Sequence, residues 1–157
     1  MKLKKYLLLL VLLPFLQGCN DEDDIGAIFS GSWKLNNFYT TTDWDNHKKS
    51  TPVYDFSTPA GRKVLEQINQ SGKFIISFSE GSFSATADEK NFSGTWQADG
   101  KENTFFVRIT SGGSSSDPIG KKFIEAVRDA KFYKGDINYL QLYSEEKDEY
   151  IQLRREN

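Results

Sequence analysis

The chain reads as an α+β protein, an antiparallel curled sheet or barrel-like meander with two inserted helices. Three observations predict this. Between Phe74 and Arg154 apolar side chains recur at alternate positions in several short runs, the period of strands with one dry and one wet face. Turn-forming pairs such as Glu80-Gly81 and Asp99-Gly100 separate those runs at hairpin spacing. Two other stretches switch to helical periodicity, each opened by a capping residue followed by proline, Thr58-Pro59 and Asp117-Pro118.

The elements follow in order. Gly31-Ser32-Trp33-Lys34-Leu35 opens the first strand, with Trp33, Leu35, Asn37 and Tyr39 expected on one face. Thr40 to Tyr54 is polar with interspersed aromatics and reads as a long loop or irregular hairpin. After Thr58-Pro59, the residues Val64, Leu65 and Ile68 form a helical stripe that stops near Ser71-Gly72. Phe74, Ile76 and Phe78, then Phe83, Ala85 and Ala87, then Phe92, Gly94, Trp96 and Ala98 give the apolar faces of three strands. Phe105, Val107 and Ile109 give a fourth. A polar loop, Ser111 to Ser116, leads to Asp117-Pro118 and a second helix lined by Ile119, Phe123, Val127 and Ala130. Two last strands, around Ile137 to Tyr143 and Glu149 to Arg154, are joined by the acidic turn Ser144 to Asp148. Phe29-Ser30-Gly31-Ser32-Trp33 recurs as Phe92-Ser93-Gly94-Thr95-Trp96. In both copies glycine permits a bulge or close backbone approach, and the tryptophan two residues on fills the core.

The first 19 residues carry a different message. Lys2, Lys4 and Lys5 form a basic start, Leu7 to Leu16 a short apolar run, and Leu16-Gln17-Gly18-Cys19 the exit. That is a secretory leader, too short to span a bilayer. Its last four residues resemble a bacterial lipobox. The resemblance implies a signal peptide at residues 1–18, lipid attachment at Cys19 and anchorage in the cell outer membrane. Asn20 to Asp24 reads as a solvated spacer within a tether at 19–28, ahead of one β-rich domain at 29–157. An acidic run in that place also resembles the surface-export signal of Bacteroidetes lipoproteins, which implies display on the outside. Cys19 is the only cysteine, so no disulfide is available and burial alone must offset chain entropy.

Composition narrows the partners. The leader holds three of the 20 lysines and arginines and no acid, leaving 17 bases against 22 acids and a net charge of −5. That sign disfavours nucleic acid, and no basic cluster stands out.

Two patterns carry a family resemblance. Gly31-Ser32-Trp33 resembles the Gly-x-Trp opening of lipocalins. Phe123 to Val127, then Lys131-Phe132-Tyr133, Gly135-Asp136, Leu140-Gln141-Leu142 and Ile151-Gln152-Leu153 resemble the META domain of bacterial heat-shock lipoproteins. The chain departs from META domains in lacking their Gly-Cys-Asn turn, and the resemblance implies a fold type and no functional residues.

No catalytic constellation emerges. Asp43, Asp45 and His47 alternate along an extended stretch, but the run lacks the glycine and terminal glutamate of a calcium loop and reads as solvated polarity. Gly112-Gly113 and Gly120-Lys121 are too far apart for a P-loop. Glu145, Glu146, Asp148 and Glu149 cluster in one turn and read as a solvated tip. The sequence therefore assigns no catalytic residue, no metal and no cofactor. Tyr39, Trp44, Tyr54 and Phe56 are the candidate ligand-binding residues: rings in a polar segment stack on sugar faces or grip a partner. The alternative is that their loop folds over the mouth of the sheet and seals its core. The function expected is that of a non-catalytic binding or accessory module, lipid-anchored in the envelope, for an envelope protein or glycan. A lipocalin-like carrier of a small apolar ligand is the second reading, and a glycan-active enzyme the third.

Overall fold

The computed structural model describes residues 21–157, and Cys19 and residues 1–18 lie outside them. Nine strands are present in the described residues: β1 (Gly31–Thr41), β2 (Ser50–Pro52), β3 (Ile75–Ser79), β4 (Ser82–Ala87), β5 (Lys90–Asp99), β6 (Thr104–Ser111), β7 (Phe132–Gly135), β8 (Tyr139–Tyr143) and β9 (Glu149–Arg155). Every pairing is antiparallel, and β1 bonds to β3 at its start and to β9 along most of its length. The ladder therefore returns on itself through β1-β3-β4-β5-β6-β7-β8-β9, with β2 appended to the far end of β1. The expected α+β fold with an antiparallel, barrel-like meander is the one found.

The interior follows the alternation. Trp33 and Leu35 of β1, Ile76 and Phe78 of β3, Phe83 and Ala85 of β4, Phe92 of β5, Phe105 and Val107 of β6, Leu140 and Leu142 of β8 and Ile151 and Leu153 of β9 are all buried. Fully burying each large side chain stabilises the ring by roughly 1.5–3 kcal/mol. Phe29 lies among Phe78, Trp96, Phe105 and Tyr133, ring centroids 4.9–5.2 Å apart. Such offset and edge-on packing suits the aromatic quadrupole.

The seam between β6 and β7 is narrow. One registered pair, Thr104 with Phe132, joins them, supported by bonds from Phe105 N to Lys131 O and from Tyr133 N to Asn103 O. The inserted helix α3 (Pro118–Asp129) sits between these two strands in the chain. It buries Ile119, Phe123, Ile124 and Val127 and packs on β4, β6, β8 and β9. Those strands lie on opposite sides of the ring, so α3 closes one end of it. Helix α2 (Pro59–Asn69) is stopped at its start by the Thr58 hydroxyl, which accepts from Gly61 N. Asp117 does the same for α3, accepting from Gly120 N at 2.7 Å and from Gln67 Nε2 at 2.9 Å. The helix start is thus occupied by the chain's own carboxylate, the capping role expected of Asp117.

Besides β7, a strand ahead of the two expected after the second helix, two elements differ from the sequence reading. The stretch read as a solvated spacer is helical, α1, over Asp21–Ile28. Its end docks: Ile28 and Phe29 are buried, and Trp33 Nε1 donates to Ile28 O at 3.1 Å. The Arg155 guanidinium, stacked 4.0 Å over the Trp33 ring, donates to Ala27 O and Ser30 O. A run of acids misled the reading, because Ile25 and Ile28 behind it supply the apolar face. The second difference is in β1, where the register shifts between Leu35 and Asn37. This bulge turns Phe38, not Tyr39, into the core. Asn37 patches the break, donating from Nδ2 to Tyr54 O at 2.9 Å and accepting Phe38 N at 2.8 Å.

Candidate binding groove on the outer sheet face

The outward faces of β7, β8, β9 and β1 carry an unusual row. Phe132 pairs with Tyr143, Tyr143 with Tyr150 and Tyr150 with Tyr39, so four aromatics stand side by side outside the ring. Tyr39 and Tyr150 are stacked at 4.9 Å and 8°, and Tyr150 and Tyr143 lie 4.6 Å apart. Outward side chains of a closed sheet are ordinarily wet, yet Tyr143 is 1% and Tyr150 5% exposed. Burial pushes the phenol of Tyr143 above the ordinary tyrosine range, with the neighbouring Tyr150 adding to the rise.

The covering comes from the segment between β1 and β2. Its Trp44 ring meets Phe132 at 5.8 Å and Tyr143 at 5.5 Å, both edge-on. Lys134 Nζ sits 4.1 Å and Lys147 Nζ 3.8 Å from the Trp44 centroid, two cation–π contacts on one indole. Lys134 also donates to Trp44 O at 2.8 Å and pairs with Asp45 at 2.6 Å. That hydrogen bond holds the Asp45 carboxyl below its usual range. The segment is thereby folded back as an arm over the sheet's exterior.

Between the arm and the β7–β8 hairpin a groove of about 520 Å³ remains open. Its floor is Tyr39, Tyr150, Gln141 and Gln152, with His47 and Ser50 on the arm side and Asp136 and Tyr139 on the hairpin side. Gln141 is 7% exposed, and its Oε1 accepts from the Tyr143 hydroxyl at 3.0 Å. Gln141 and Gln152 are directly opposed across β8 and β9. Asp136 Oδ1 accepts from Asn138 N at 2.7 Å and Tyr139 N at 2.9 Å, bonds that fix the hairpin tip and hold its carboxyl below the usual range.

A second depression, of about 240 Å³, lies between α3 and the far ends of β1, β8 and β9. Phe38, Leu142 and Ile151 form its floor, with Glu125, Glu149 and Lys122 at the rim. Lys122 lies 5.4 Å over the Phe38 ring.

The four aromatics singled out in the sequence divide between two places. Tyr39 and Trp44 belong to the outer layer, Tyr39 lining the groove. Tyr54 packs edge-on to Phe38 at 5.9 Å, and both Tyr54 and Phe56 rest against the inner core. Asp45 is engaged by Lys134 and Asp43 Oδ1 by Asp45 N. Among the described residues no three His, Cys, Asp or Glu side chains converge as a metal site. Sequence reasoning missed Tyr139, Gln141, Tyr150 and Gln152. Their signal was available: alternate positions in Tyr139-x-Gln141-x-Tyr143 and Tyr150-x-Gln152 put rings and amides on the face where Ser, Thr or Lys is usual.

Fold and groove together define a small closed-sheet α+β domain whose polar, aromatic concavity faces outward. The chain belongs to the family described as Domain of unknown function (DUF4847), which it matches over residues 20–155. It is similar to the crystal structure of a DUF4847 family protein from Bacteroides vulgatus ATCC 8482, at 34% identity and a TM-score of 0.72, over 84% of this chain and 96% of that one. An NMR structure of a protein from Burkholderia xenovorans shares the fold at 12% identity and a TM-score of 0.54, over 88% of this chain and 89% of that one. No curated protein matches the chain.

Proposed function

We propose that this protein is a lipid-anchored envelope lipoprotein, displayed on the outer membrane, that acts as a non-catalytic binding module. The observation that carries the reading is the position of Leu16-Gln17-Gly18-Cys19 two residues ahead of α1. Acyl chains on Cys19 at about 0.8 kcal/mol per buried methylene make anchoring stable once two or more are attached. Eight residues of α1 at 1.5 Å each extend only about 12 Å between that anchor and the ring. The ligand surface is the outer groove. The ring's interior is filled by Trp33, Phe74, Phe105 and Phe123, all fully buried, which favours an external site over the carrier reading.

Intact mass spectrometry of native protein, with cell fractionation, tests this. The polypeptide is expected to begin at Cys19 with acyl mass added and to sit in the membrane fraction. Cys19→Ala is expected to move it to the soluble fraction. Protease added to intact cells is expected to remove the wild-type domain. A native chain starting at Met1 or bearing a free thiol overturns the anchor.

A further inference from the structure

We infer that the outer groove binds a neutral oligosaccharide, an assignment that rests on the binding-module reading and names its ligand class. The chemistry of the lining selects among ligands. Lys134, the one lysine of the groove wall, is already matched by Asp45 at 2.6 Å and by Trp44 O. An anionic ligand therefore meets no uncommitted lysine there, and it meets the carboxylate of Asp136. A single carboxylate, half committed to its own hairpin tip, does not make a cation site. On the floor Gln141 Nε2 donates to Gln152 Oε1 at 3.5 Å, and the Gln152 N–H groups beside them oppose a purely apolar ligand, since covering them without hydrogen bonds is costly.

What remains, beside the His47 imidazole and the Asp136 carboxylate, is a surface of ring faces, amides and hydroxyls. Tyr139 is 49% exposed on the hairpin side, across the floor from Tyr39 on β1. Pyranose rings present the complementary surface: flat C–H faces that lie on aromatic rings and equatorial hydroxyls that exchange hydrogen bonds with amides and carboxylates. The site is also rigid before binding. Tyr39 is stacked on Tyr150, Gln141 is held by Tyr143 and the arm is fastened through Trp44 and Lys134. A preordered floor keeps the entropic cost of association low. The groove is an open trough and not an enclosed cavity, which suits several residues of a chain over a single free sugar.

Calorimetric titration of the full-length protein in detergent tests the assignment, using cellohexaose, maltohexaose, xylohexaose and mannohexaose. Oligogalacturonate and laurate serve as the anionic and apolar comparisons. At least one neutral oligosaccharide is expected to bind. Tyr139→Ala with Gln152→Ala is expected to weaken that binding about tenfold or more, with an unchanged circular dichroism spectrum. Lys63→Ala, on the exposed side of α2, is expected to bind as wild type does. Neutral-sugar binding that survives the double substitution overturns the groove as the site. Binding of oligogalacturonate or laurate alone, lost in the double variant, overturns the saccharide class and leaves the binding-module reading standing. Silence from every titrant overturns the saccharide assignment and counts against the module as well, whereas the mass of Cys19 reports the anchor separately.

Discussion

Inside and outside the closed sheet, large aromatic side chains are buried by different means. Inside, Trp33, Phe74, Phe105 and Phe123 are covered because the ladder closes around them and α3 caps one end. Outside, Tyr143 is covered because the segment between β1 and β2 folds back and lays Trp44 over it, and Tyr150 because the rings of Tyr39 and Tyr143 flank it. The inner layer is held by burial that every strand shares. The outer layer depends on one indole, two lysines and one carboxylate. Inner residues should therefore set whether the domain folds, and outer ones should set only the shape of the groove.

The largest effect is expected inside, at Trp33→Ala. The indole is 0% exposed, donates to Ile28 O and carries Arg155 on its face. Its removal leaves a cavity and also releases α1 from the ring. A loss of about 3–5 kcal/mol is expected from the cavity alone, a large fraction of the roughly 5–15 kcal/mol that holds an ordinary domain. Urea denaturation followed by far-ultraviolet circular dichroism measures it. A loss below about 1 kcal/mol would mean that the interior collapses easily around the gap, contrary to its packing.

The same contrast explains what the sequence made legible. Period-two alternation reports burial on one face, and it named Phe74, Ile76, Phe78, Phe83, Phe105 and Val107 as inward without error. Thr58-Pro59 and Asp117-Pro118 opened α2 and α3 where capping chemistry requires. The Gly-x-Trp opening and the helix–strand–turn pattern near the end, read as lipocalin-like and META-like, fall on β1 and on α3 to β9. Alternation has no means of marking a second buried layer, because Tyr143 and Tyr150 occupy positions that a one-sided sheet leaves wet. Tyr143 is covered by a residue about a hundred positions away, Trp44, and Tyr150 by Tyr39 of β1, and no local pattern encodes those contacts. The bulge at Asn36 was equally silent: a single extra residue moves Tyr39 outward and Phe38 inward without altering composition. The short apolar spacing Ile25-x-x-Ile28 was outweighed by the acids before it, so α1 went unread.

An intermediate effect is expected at Trp44→Ala. The substitution removes two cation–π contacts and two edge-on ring contacts from a half-buried side chain. A loss of about 1–2 kcal/mol is expected, well below that at Trp33. Hydrogen exchange should separate the two layers more sharply than denaturation does. Amides of the arm and of the adjoining ends of β8 and β9 should lose protection, while those of β4 and β5 keep it. Equal loss of protection across the whole sheet would make the outer layer a true extension of the core, and the distinction drawn above would fail.

The smallest effect is expected at Asp45→Asn, and its sign with pH sharpens the comparison further. The hydrogen bond from Lys134 holds the Asp45 carboxyl below its ordinary range, so the folded chain binds this proton less readily than the unfolded chain does. The resulting stabilisation is complete at pH values above the ordinary carboxylate range, about 4, and is lost as pH falls through the lowered folded value. Asp45 is exposed, so solvent and salt screen the pair and the effect on the thermal midpoint is small. Wild type should melt slightly above the Asn variant near neutrality, and the gap should close on acidification and shrink with added salt. Trp33→Ala should show neither trend in its own gap, because no ionising carboxylate is among the contacts it removes. A difference between wild type and Asp45→Asn that persists undiminished in acid would mean that Asp45 acts without its charge, and no difference even at neutral pH would leave the arm's attachment to Trp44 packing and the Lys134 bond to Trp44 O.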